Sequence, residues 1–222
     1  MIGEIVVFRA FLNFLFPPRC PSCSAYVERR GMFCAGCTRR LIGLHALAYT
    51  GETQKYLDGI WAFAHYRAGV RELLRTLKYR RQKSALPALH TILTMGEEAL
   101  ALLPHPLVAV PVPLAPQRVR ERGFNQAEEI FAPWLAAHGI ALRHLLVRIR
   151  ETAPLYERTR TERQRELRGA FAMAEGADVT ARDVLLVDDI MTSGATLTEC
   201  ARTLKRAGAR RVYAFVLASE HL

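Results

Sequence analysis

The stretch that decides the fold is residues 184–196, which reads V-L-L-V-D-D-I-M-T-S-G-A-T. Its first four residues, Val184 to Val187, form an unbroken apolar run rich in β-branched side chains. Such a run predicts a strand that is buried on both faces, as in a parallel sheet covered by helices. Asp188 and Asp189 follow at the carboxyl end of this strand, where open α/β sheets bind ligands. The sequence therefore predicts an α/β fold, a parallel sheet flanked by helices, with a ligand site at this edge.

A short turn of small and hydroxylated residues separates the acidic pair from the next predicted helix. Gly194 allows a tight backbone path, and a helix N-terminus presents unpaired N–H groups at a positive dipole end, so the turn suits a phosphate. The two carboxylates are acceptors, suited to a sugar diol or to a divalent metal ion. Together these features describe a ribose 5-phosphate site. Its predicted phosphate-binding residues are Met191, Thr192, Ser193, Gly194, Ala195 and Thr196.

The alternative is an ordinary Asp-Asp turn before a capped helix, because residues 196–199, T-L-T-E, also match a capping box. The whole string in strand, loop and helix order favours the ligand site. It resembles the signature of the type I phosphoribosyltransferases. That resemblance implies that Asp188 and Asp189 form the catalytic centre on the ribose hydroxyls of phosphoribosyl pyrophosphate (PRPP), and that the T-x-G-x-T loop holds the 5-phosphate.

Composition indicates a folded protein with polyanionic partners. The chain has 222 residues, 50% of them hydrophobic and 23% charged, which is ordinary for a folded chain and argues against disorder. This length holds one large domain, or one domain with a small appendage. The net charge of +10, from 31 Lys and Arg against 21 Asp and Glu, points to phosphorylated metabolites, nucleic acid or both.

The first sixteen residues raise the question of a signal peptide or a membrane anchor. Glu4, Arg9 and Asn13 interrupt the apolar run, and it ends in Pro17 and Pro18 with no small-residue cleavage site. We expect a short amphipathic helix packed on its own domain, in a cytoplasmic protein that does not insert into a membrane.

Two C-x-x-C pairs follow this segment, separated by ten residues. Each pair offers two thiolates from one tight turn, and four thiolates complete a tetrahedral zinc site without an open position, so the zinc would be structural. Disulfides are the alternative, but nothing indicates secretion. The predicted ligands are Cys20, Cys23, Cys34 and Cys37. We expect residues 1–50 to form an N-terminal helix and zinc-ribbon arm, and residues 51–222 to form the phosphoribosyltransferase-like domain.

From Asp58 onwards, predicted strands and helices alternate. Cys200 shares a helical face with Leu197, Ala201 and Leu204, which predicts a buried core thiol and not a nucleophile. Hydrophobic patterning predicts strands over residues 60–66, 107–113, 169–173 and 212–217, and helices over 70–77, 85–103, 127–138 and from the turn to 207.

Two basic groups are further candidates for phosphate contacts. The prolines that end the strand at 107–113 cannot continue a central ladder, so a loop is predicted to follow. That loop carries Arg118, Arg120 and Arg122, an anion site suited to pyrophosphate or, alternatively, a basic surface loop. Lys78 belongs to a basic cluster that is either a solvated helix face or a phosphate contact.

Residues 143–168 contain eight arginines with glutamates between them and almost no apolar periodicity after Val147. Such a segment between strands is either a disordered insertion or a mobile lid. A lid would exclude water from an oxocarbenium-like centre.

The chain as a whole resembles the ComF family of competence-associated phosphoribosyltransferase-like proteins. The resemblance covers nearly the whole chain in order, through the four cysteines, K-Y at 78–79, V-P-V-P at 110–113, R-G-F-N-Q-A at 122–127, R-G-A-F at 168–171 and the acidic motif. Two positions depart from the family pattern: Leu155 stands where the lid usually has Gln, and Glu166 where it usually has Asn. These changes concern contacts with an acceptor and not the PRPP site.

The resemblance implies PRPP binding with Mg²⁺ and a role in handling incoming single-stranded DNA during natural transformation. We expect the turn to anchor the 5-phosphate, the acids to fix the ribose diol, and Mg²⁺ with the arginines to neutralise the leaving pyrophosphate, without a protein nucleophile. The acceptor is not specified. One alternative is a non-catalytic, PRPP-sensing adaptor that contacts single-stranded DNA or a helicase. Another is a nucleobase salvage enzyme, which is weaker because no base-reading segment follows the last predicted strand.

Overall fold

The structure is a computed structural model that describes residues 15–49, 51–80, 82–105, 107–151 and 160–220. Most of the predicted N-terminal helix, and the lid position Leu155, lie outside the described residues.

The strands in the described part of the chain are β1 Ile42–Ala46, β2 Gly59–His65, β3 Leu107–Pro111, β4 Leu146–Arg148, β5 Phe171–Met173, β6 Asp183–Met191 and β7 Arg211–Ser219. Five of them form one sheet with the order β1-β2-β7-β6-β3. β1 runs antiparallel to β2, and the other neighbours are parallel. β4 and β5 pair antiparallel in a separate two-stranded sheet.

Helices cover both faces of the sheet. The α-helices in the described ranges are α1 Ala35–Leu41, α2 Glu52–Tyr56, α3 Ala68–Tyr79, α4 Leu86–Thr94, α5 Pro116–Arg122, α6 Gln126–Ala137, α7 Arg160–Leu167 and α8 Ala195–Arg206. The first face packs against α1, α3, α4 and α6, and the second against α2, α7 and α8. This mixed, mostly parallel sheet flanked by helices confirms the predicted fold class.

β6 is the strand that the sequence predicted to be buried on both faces, and the alternation of its side chains explains its composition. Leu185 and Val187 belong to the core on the first face of the sheet, whereas Val184 and Leu186 belong to the core on the second. All four are fully buried, because each face is covered by helices. The strand runs on through both aspartates to Met191.

The helix predicted over residues 85–103 is wrong as a single element. The chain forms a 3-10 turn at Lys83–Ala85, then α4, and then a 3-10 segment at Glu97–Leu102. At the break, Gly96 lies against the Phe63 ring, where a Cβ atom would stand 2.6 Å from Phe63 Cδ1. The close approach of the backbone to the core outweighs the local helical pattern, which could not report it.

The cysteine segment packs directly on the core. A Cβ atom at Gly69, near the start of α3, would lie 2.6 Å from Ser22 Cβ and 2.8 Å from the Pro21 carbonyl oxygen. Cys20 and Cys37 are buried in the same apolar cluster as α3 and α4, and β1 extends the main sheet. The domain boundary at residue 50 stays a prediction.

None of the helices in the described ranges has the length and apolarity that a bilayer crossing requires.

Candidate phosphoribosyl site and zinc centre

The acidic pair lies near the carboxyl end of β6, an interior strand between β7 and β3. Asp189 is only 7% exposed, and Asp188 is half-buried. The Asp188 Oδ1 atom accepts the backbone N–H of Asp189 at 2.8 Å. Since β7 and β3 flank β6 in parallel, the ends of three strands meet beside these carboxylates.

The turn after β6 reverses sharply into α8. Gly194 adopts φ 75° and ψ 0°, a left-handed conformation that favours glycine. A Cβ atom there would also lie 2.9 Å from Met191 Cε. Ser193 Oγ accepts the N–H of Ala195, the first residue of α8, at 3.5 Å. A small cavity of ≈ 30 Å³ opens above the turn, lined by Asp188 and residues 190–197.

The capping box that the sequence offered as an alternative does not form at the start of α8. The Glu199 carboxylate accepts the Gly169 N–H at 2.6 Å and pairs with Arg202. It therefore joins α8 to the segment before β5 and does not turn back to the start of the helix. The first turn of α8 keeps the backbone N–H groups and dipole end that suit an anion.

A buried pair of hydroxyl groups supports the turn from behind. Thr198 donates to the Gly194 carbonyl oxygen at 2.8 Å. Its Oγ1 lies 2.8 Å from Oγ1 of Thr53, which is fully buried on α2. Because the Thr198 hydroxyl has a single hydrogen, Thr53 must be the donor in this contact. No sequence pattern marked Thr53, since it lies far from the motif along the chain.

Lys78, at the end of α3, reaches the acidic pair. Its Nζ atom lies 2.6 Å from Asp189 Oδ2, and the two side chains are 18% and 10% exposed. Burial acts to lower the Lys78 pKa, but the charge and hydrogen bond of Asp189, with the charge of Asp188, raise it overall. Of the two interpretations for Lys78, the structure places it inside the site, as a counter-ion of Asp189.

Burial raises the pKa of Asp188 to about 8, and the neighbouring charge of Asp189 adds to this effect against the opposing charge of Lys78. Before a ligand binds, burial and the neighbouring carboxylate therefore favour the protonated form of Asp188. The acidic pair carries less negative charge than its sequence indicates.

The loop predicted to carry the three arginines is the short helix α5, so that prediction is wrong. Pro116 opens the helix, where proline is preorganised, and Gly123 ends it in a left-handed conformation with φ 80°. Both signals are local. The expectation of a loop failed because Pro111 and Pro113 only end the strand, and a further proline, Pro116, suits the first turn of a helix.

In this helix the three arginines do not share one face. Arg118 and Arg122 are one turn apart, whereas Arg120 points elsewhere and is exposed. Arg122 donates to Gln126 Oε1 at 2.7 Å. Burial lowers the Arg122 pKa, and the Asp189 charge opposes this effect. The structure thus places Arg122 near the acidic pair, Arg118 at the rim, and Arg120 away from it.

Arg148 is a half-buried arginine that sequence reasoning did not single out. It lies on β4, with its guanidinium 5.5 Å from the Phe171 ring centroid. Burial lowers the Arg148 pKa, and its charge interacts with Cys200 and Arg118. Within the arginine-rich segment nothing distinguished this arginine from its neighbours. Cys200, in contrast, is fully buried as predicted.

The four predicted zinc ligands come together. The Sγ atoms of Cys20, Cys23, Cys34 and Cys37 all lie within 4.8 Å of one another, and those of Cys23 and Cys34 lie 3.5 Å apart. Zn–S bonds of about 2.3 Å give tetrahedral edges of about 3.8 Å, so the cluster fits zinc. A hydrogen bond with Ser22, aided by Arg40 and opposed by burial, lowers the pKa of Cys37 to about 6, which favours the thiolate that zinc binds.

Comparison with known families agrees with both centres. Residues 143–221 match the phosphoribosyl transferase domain family, and residues 11–46 match the double zinc ribbon domain family. The class is therefore a protein with a phosphoribosyltransferase domain and an N-terminal structural zinc ribbon.

Individual relatives narrow this class. The chain is 25% identical to competence protein F of Haemophilus influenzae over 231 residues, which cover 94% of this chain and 98% of the relative. It is 31% identical to DNA utilization protein YhgH of Escherichia coli K12 over 160 residues, or 69% of each chain. It is 37% identical to competence protein ComFC of Streptococcus pneumoniae over 109 residues, which cover 49% of this chain and 46% of the relative. The chain belongs to this family, the ComF family of competence protein F, ComFC and YhgH.

Proposed function

We propose that this protein binds PRPP with Mg²⁺ at the carboxyl end of β6, as a phosphoribosyltransferase-like protein that serves DNA uptake. The observation that carries the proposal is the joint placement of an acidic pair and a left-handed glycine turn at the start of α8. A carboxylate pair accepts hydrogen bonds from a sugar diol, and the turn binds a phosphate. The acidic pair and the turn are one short turn apart, so the diol and the phosphate of a single ribose 5-phosphate can reach both.

Each side chain then has a role in binding. Residues 191–196 hold the 5-phosphate, and Asp188 and Asp189 accept the ribose hydroxyls. Lys78 and Arg122 face the pyrophosphate, with Arg118 at the rim. Mg²⁺, held by carboxylate and phosphate oxygens, would add positive charge against the leaving pyrophosphate.

Binding requires an exchange of partners at Asp189. In the free protein Lys78 neutralises this carboxylate at 2.6 Å. When ribose hydroxyls donate to Asp189, Lys78 becomes available for the pyrophosphate, whose negative charge replaces that of the acid. The ammonium group therefore stays paired in both states, and an unpaired buried charge is avoided.

Calorimetric titration of PRPP and MgCl₂ into the purified protein tests this proposal. Asp189→Asn should abolish measurable binding, because the amide loses the negative charge and one of the two acceptor oxygens that the ribose hydroxyls require. Asp178→Asn is the matched control, because Asp178 is exposed and lies away from β6's carboxyl end. Wild-type affinity in Asp189→Asn, or no binding by the wild type, would refute the proposed site.

The DNA-uptake part of the proposal comes from the relatives, whose names refer to competence and DNA utilization. The net charge of +10 is compatible with a polyanionic partner such as single-stranded DNA. We also place the protein in the cytoplasm, where reduced cysteines are available for zinc.

A second candidate, a PRPP-binding adaptor without turnover, is favoured by the charge state of the acidic pair. Asp189 is paired with Lys78, and burial raises the Asp188 pKa to about 8. The ion pair with Lys78 and the raised Asp188 pKa both reduce the negative charge that the free site offers to a positive ribose in a transition state. Pyrophosphate release in the presence of nucleobases or single-stranded DNA separates the candidates, since an adaptor binds PRPP and leaves it intact.

A further inference from the structure

A second cavity lies at the opposite end of the sheet from the acidic pair. We call it the basal cavity. It has a volume of ≈ 660 Å³, within the range of about 300–1,000 Å³ that small-molecule sites occupy. Its lining residues are Leu107, Val108, Ala141, Arg143, Leu145, Asp178, Ala181, Arg182, Asp183 and Arg210. Leu107 and Asp183 begin β3 and β6, so this cavity is separate from the PRPP site by the length of the strands.

The basal cavity combines an apolar floor with a surplus of positive charge. The apolar part of the lining, with which a small inorganic ion would make no favourable contact, consists of Leu107, Val108 and Leu145. Three arginines face two aspartates in the lining. An apolar surface with a few convergent charged groups is the usual composition of a site for an organic ligand.

Both aspartates are already neutralised or engaged. Asp183 is fully buried and receives Arg210 Nε at 2.8 Å and Arg211 Nη2 at 2.9 Å. Arg210 and Arg211 hold the pKa of Asp183 down to about 2, against the effect of burial. Asp178 accepts the backbone N–H of Thr180 at 2.9 Å, and this bond, aided by the nearby charge of Arg182, lowers the Asp178 pKa.

Arg143 and Arg182, in contrast, have guanidinium groups without a hydrogen bond or ion pair to any described residue. They come from two different segments, the one that follows α6 and the turn that precedes β6. Both side chains line the cavity and are exposed, so their N–H donors can meet an anion that enters it. Planar guanidinium groups match carboxylates in particular, through paired N–H donors.

We propose that the basal cavity binds a small organic anion, an apolar ring that carries a carboxylate. The ring packs on Leu107, Val108 and Leu145, and the carboxylate lies between Arg143 and Arg182. This ligand is distinct from PRPP in chemistry, because the floor is apolar and offers no turn for a phosphate.

Titration calorimetry with 2-naphthoate tests the proposal, with the neutral 2-naphthamide as a probe of the same shape. The naphthoate should bind, and the amide should bind at least about tenfold more weakly, because it lacks the charge that the arginines recognise. The double variant Arg143→Ala/Arg182→Ala should lose a similar factor. Both side chains are exposed, so the variant should fold, and an unchanged thermal midpoint checks this. Arg206→Ala, also exposed but on α8, is the matched control and should bind as the wild type does.

Absence of naphthoate binding, equal binding of the amide, or full binding by the double variant would each overturn the proposal. Displacement of naphthoate by PRPP would also overturn it, because the anion would then occupy the site at β6's carboxyl end. The Asp189→Asn variant should still bind naphthoate, and this result tests the basal cavity independently of the proposed PRPP site.

Discussion

Replacing Thr53 with valine should weaken PRPP binding, although Thr53 is on α2 and outside the cavity above the turn. The Thr53 hydroxyl donates to Thr198 Oγ1 at 2.8 Å, and Thr198 donates to the Gly194 carbonyl oxygen at 2.8 Å. Valine keeps the shape of threonine and removes the donor. The Thr198 hydroxyl oxygen then either remains without a hydrogen-bond donor or rotates away from Gly194. Rotation would loosen the turn that holds the phosphate.

The magnitude follows from burial. Thr53 is fully buried and Thr198 is 3% exposed, so water cannot replace the lost bond. A buried polar group left unsatisfied costs about 1–3 kcal/mol. If half of that cost, about 0.5–1.5 kcal/mol, acts on the turn, the dissociation constant for PRPP should rise about twofold to twelvefold, since 1.4 kcal/mol is a factor of ten.

Calorimetry measures the affinity of Thr53→Val, Thr198→Val and the double variant, and urea unfolding measures their stability. The two single effects should not add, because both remove one hydroxyl chain. Thr203→Val is the matched control: its hydroxyl donates to the Glu199 carbonyl oxygen at 3.0 Å, on the same helix but away from the turn. It should change stability a little and PRPP affinity not at all. The reasoning is wrong if Thr53→Val binds PRPP as tightly as the wild type, or if Thr203→Val weakens binding equally.

Three further predictions concern the arm and the acidic pair. Removal of zinc with a chelator should lower the thermal midpoint of the whole chain and not only unfold an arm, because Cys20 and Cys37 are buried in the core shared with α3 and α4; a separate transition for the arm with an unchanged main midpoint would contradict this. Gly69→Ala should destabilise the protein by about 1–3 kcal/mol in urea unfolding, since its Cβ would lie 2.6 Å from Ser22 Cβ, whereas Gly36→Ala, where a Cβ meets nothing within 4 Å, should not. Because the folded chain retains the Asp188 proton to higher pH than the unfolded chain does, Asp188 should contribute fully to the free energy of unfolding below the ordinary carboxyl pKa. This contribution should be lost as the pH rises through about 8. Asp188→Asn should therefore show a smaller loss of urea midpoint between pH 6 and pH 9 than the wild type, and an identical loss in both would exclude this carboxyl as the cause.

Local patterns in the sequence were sufficient for the central strand, the acidic pair at its end and the helix that follows. An apolar run that serves two covered faces, and a glycine that must take a left-handed conformation, are properties of consecutive residues. The same holds for the four cysteines, because two close pairs of thiols bring half of a tetrahedral site together in each turn. The buried thiol of Cys200 followed from helical periodicity in the same way.

The structure decided what depends on contacts between distant segments. The ion pair of Lys78 with Asp189, the support of Gly194 by Thr53, and the position of Arg148 join residues that no local pattern connects. Where local signals conflicted with tertiary contacts, the contacts prevailed: Gly96 against Phe63 breaks a predicted helix. The sequence by itself thus determined the strand and its chemical groups, because these depend on neighbours along the chain. Only the tertiary structure decided which charges face those groups, because packing brings together parts of the chain that the sequence keeps far apart.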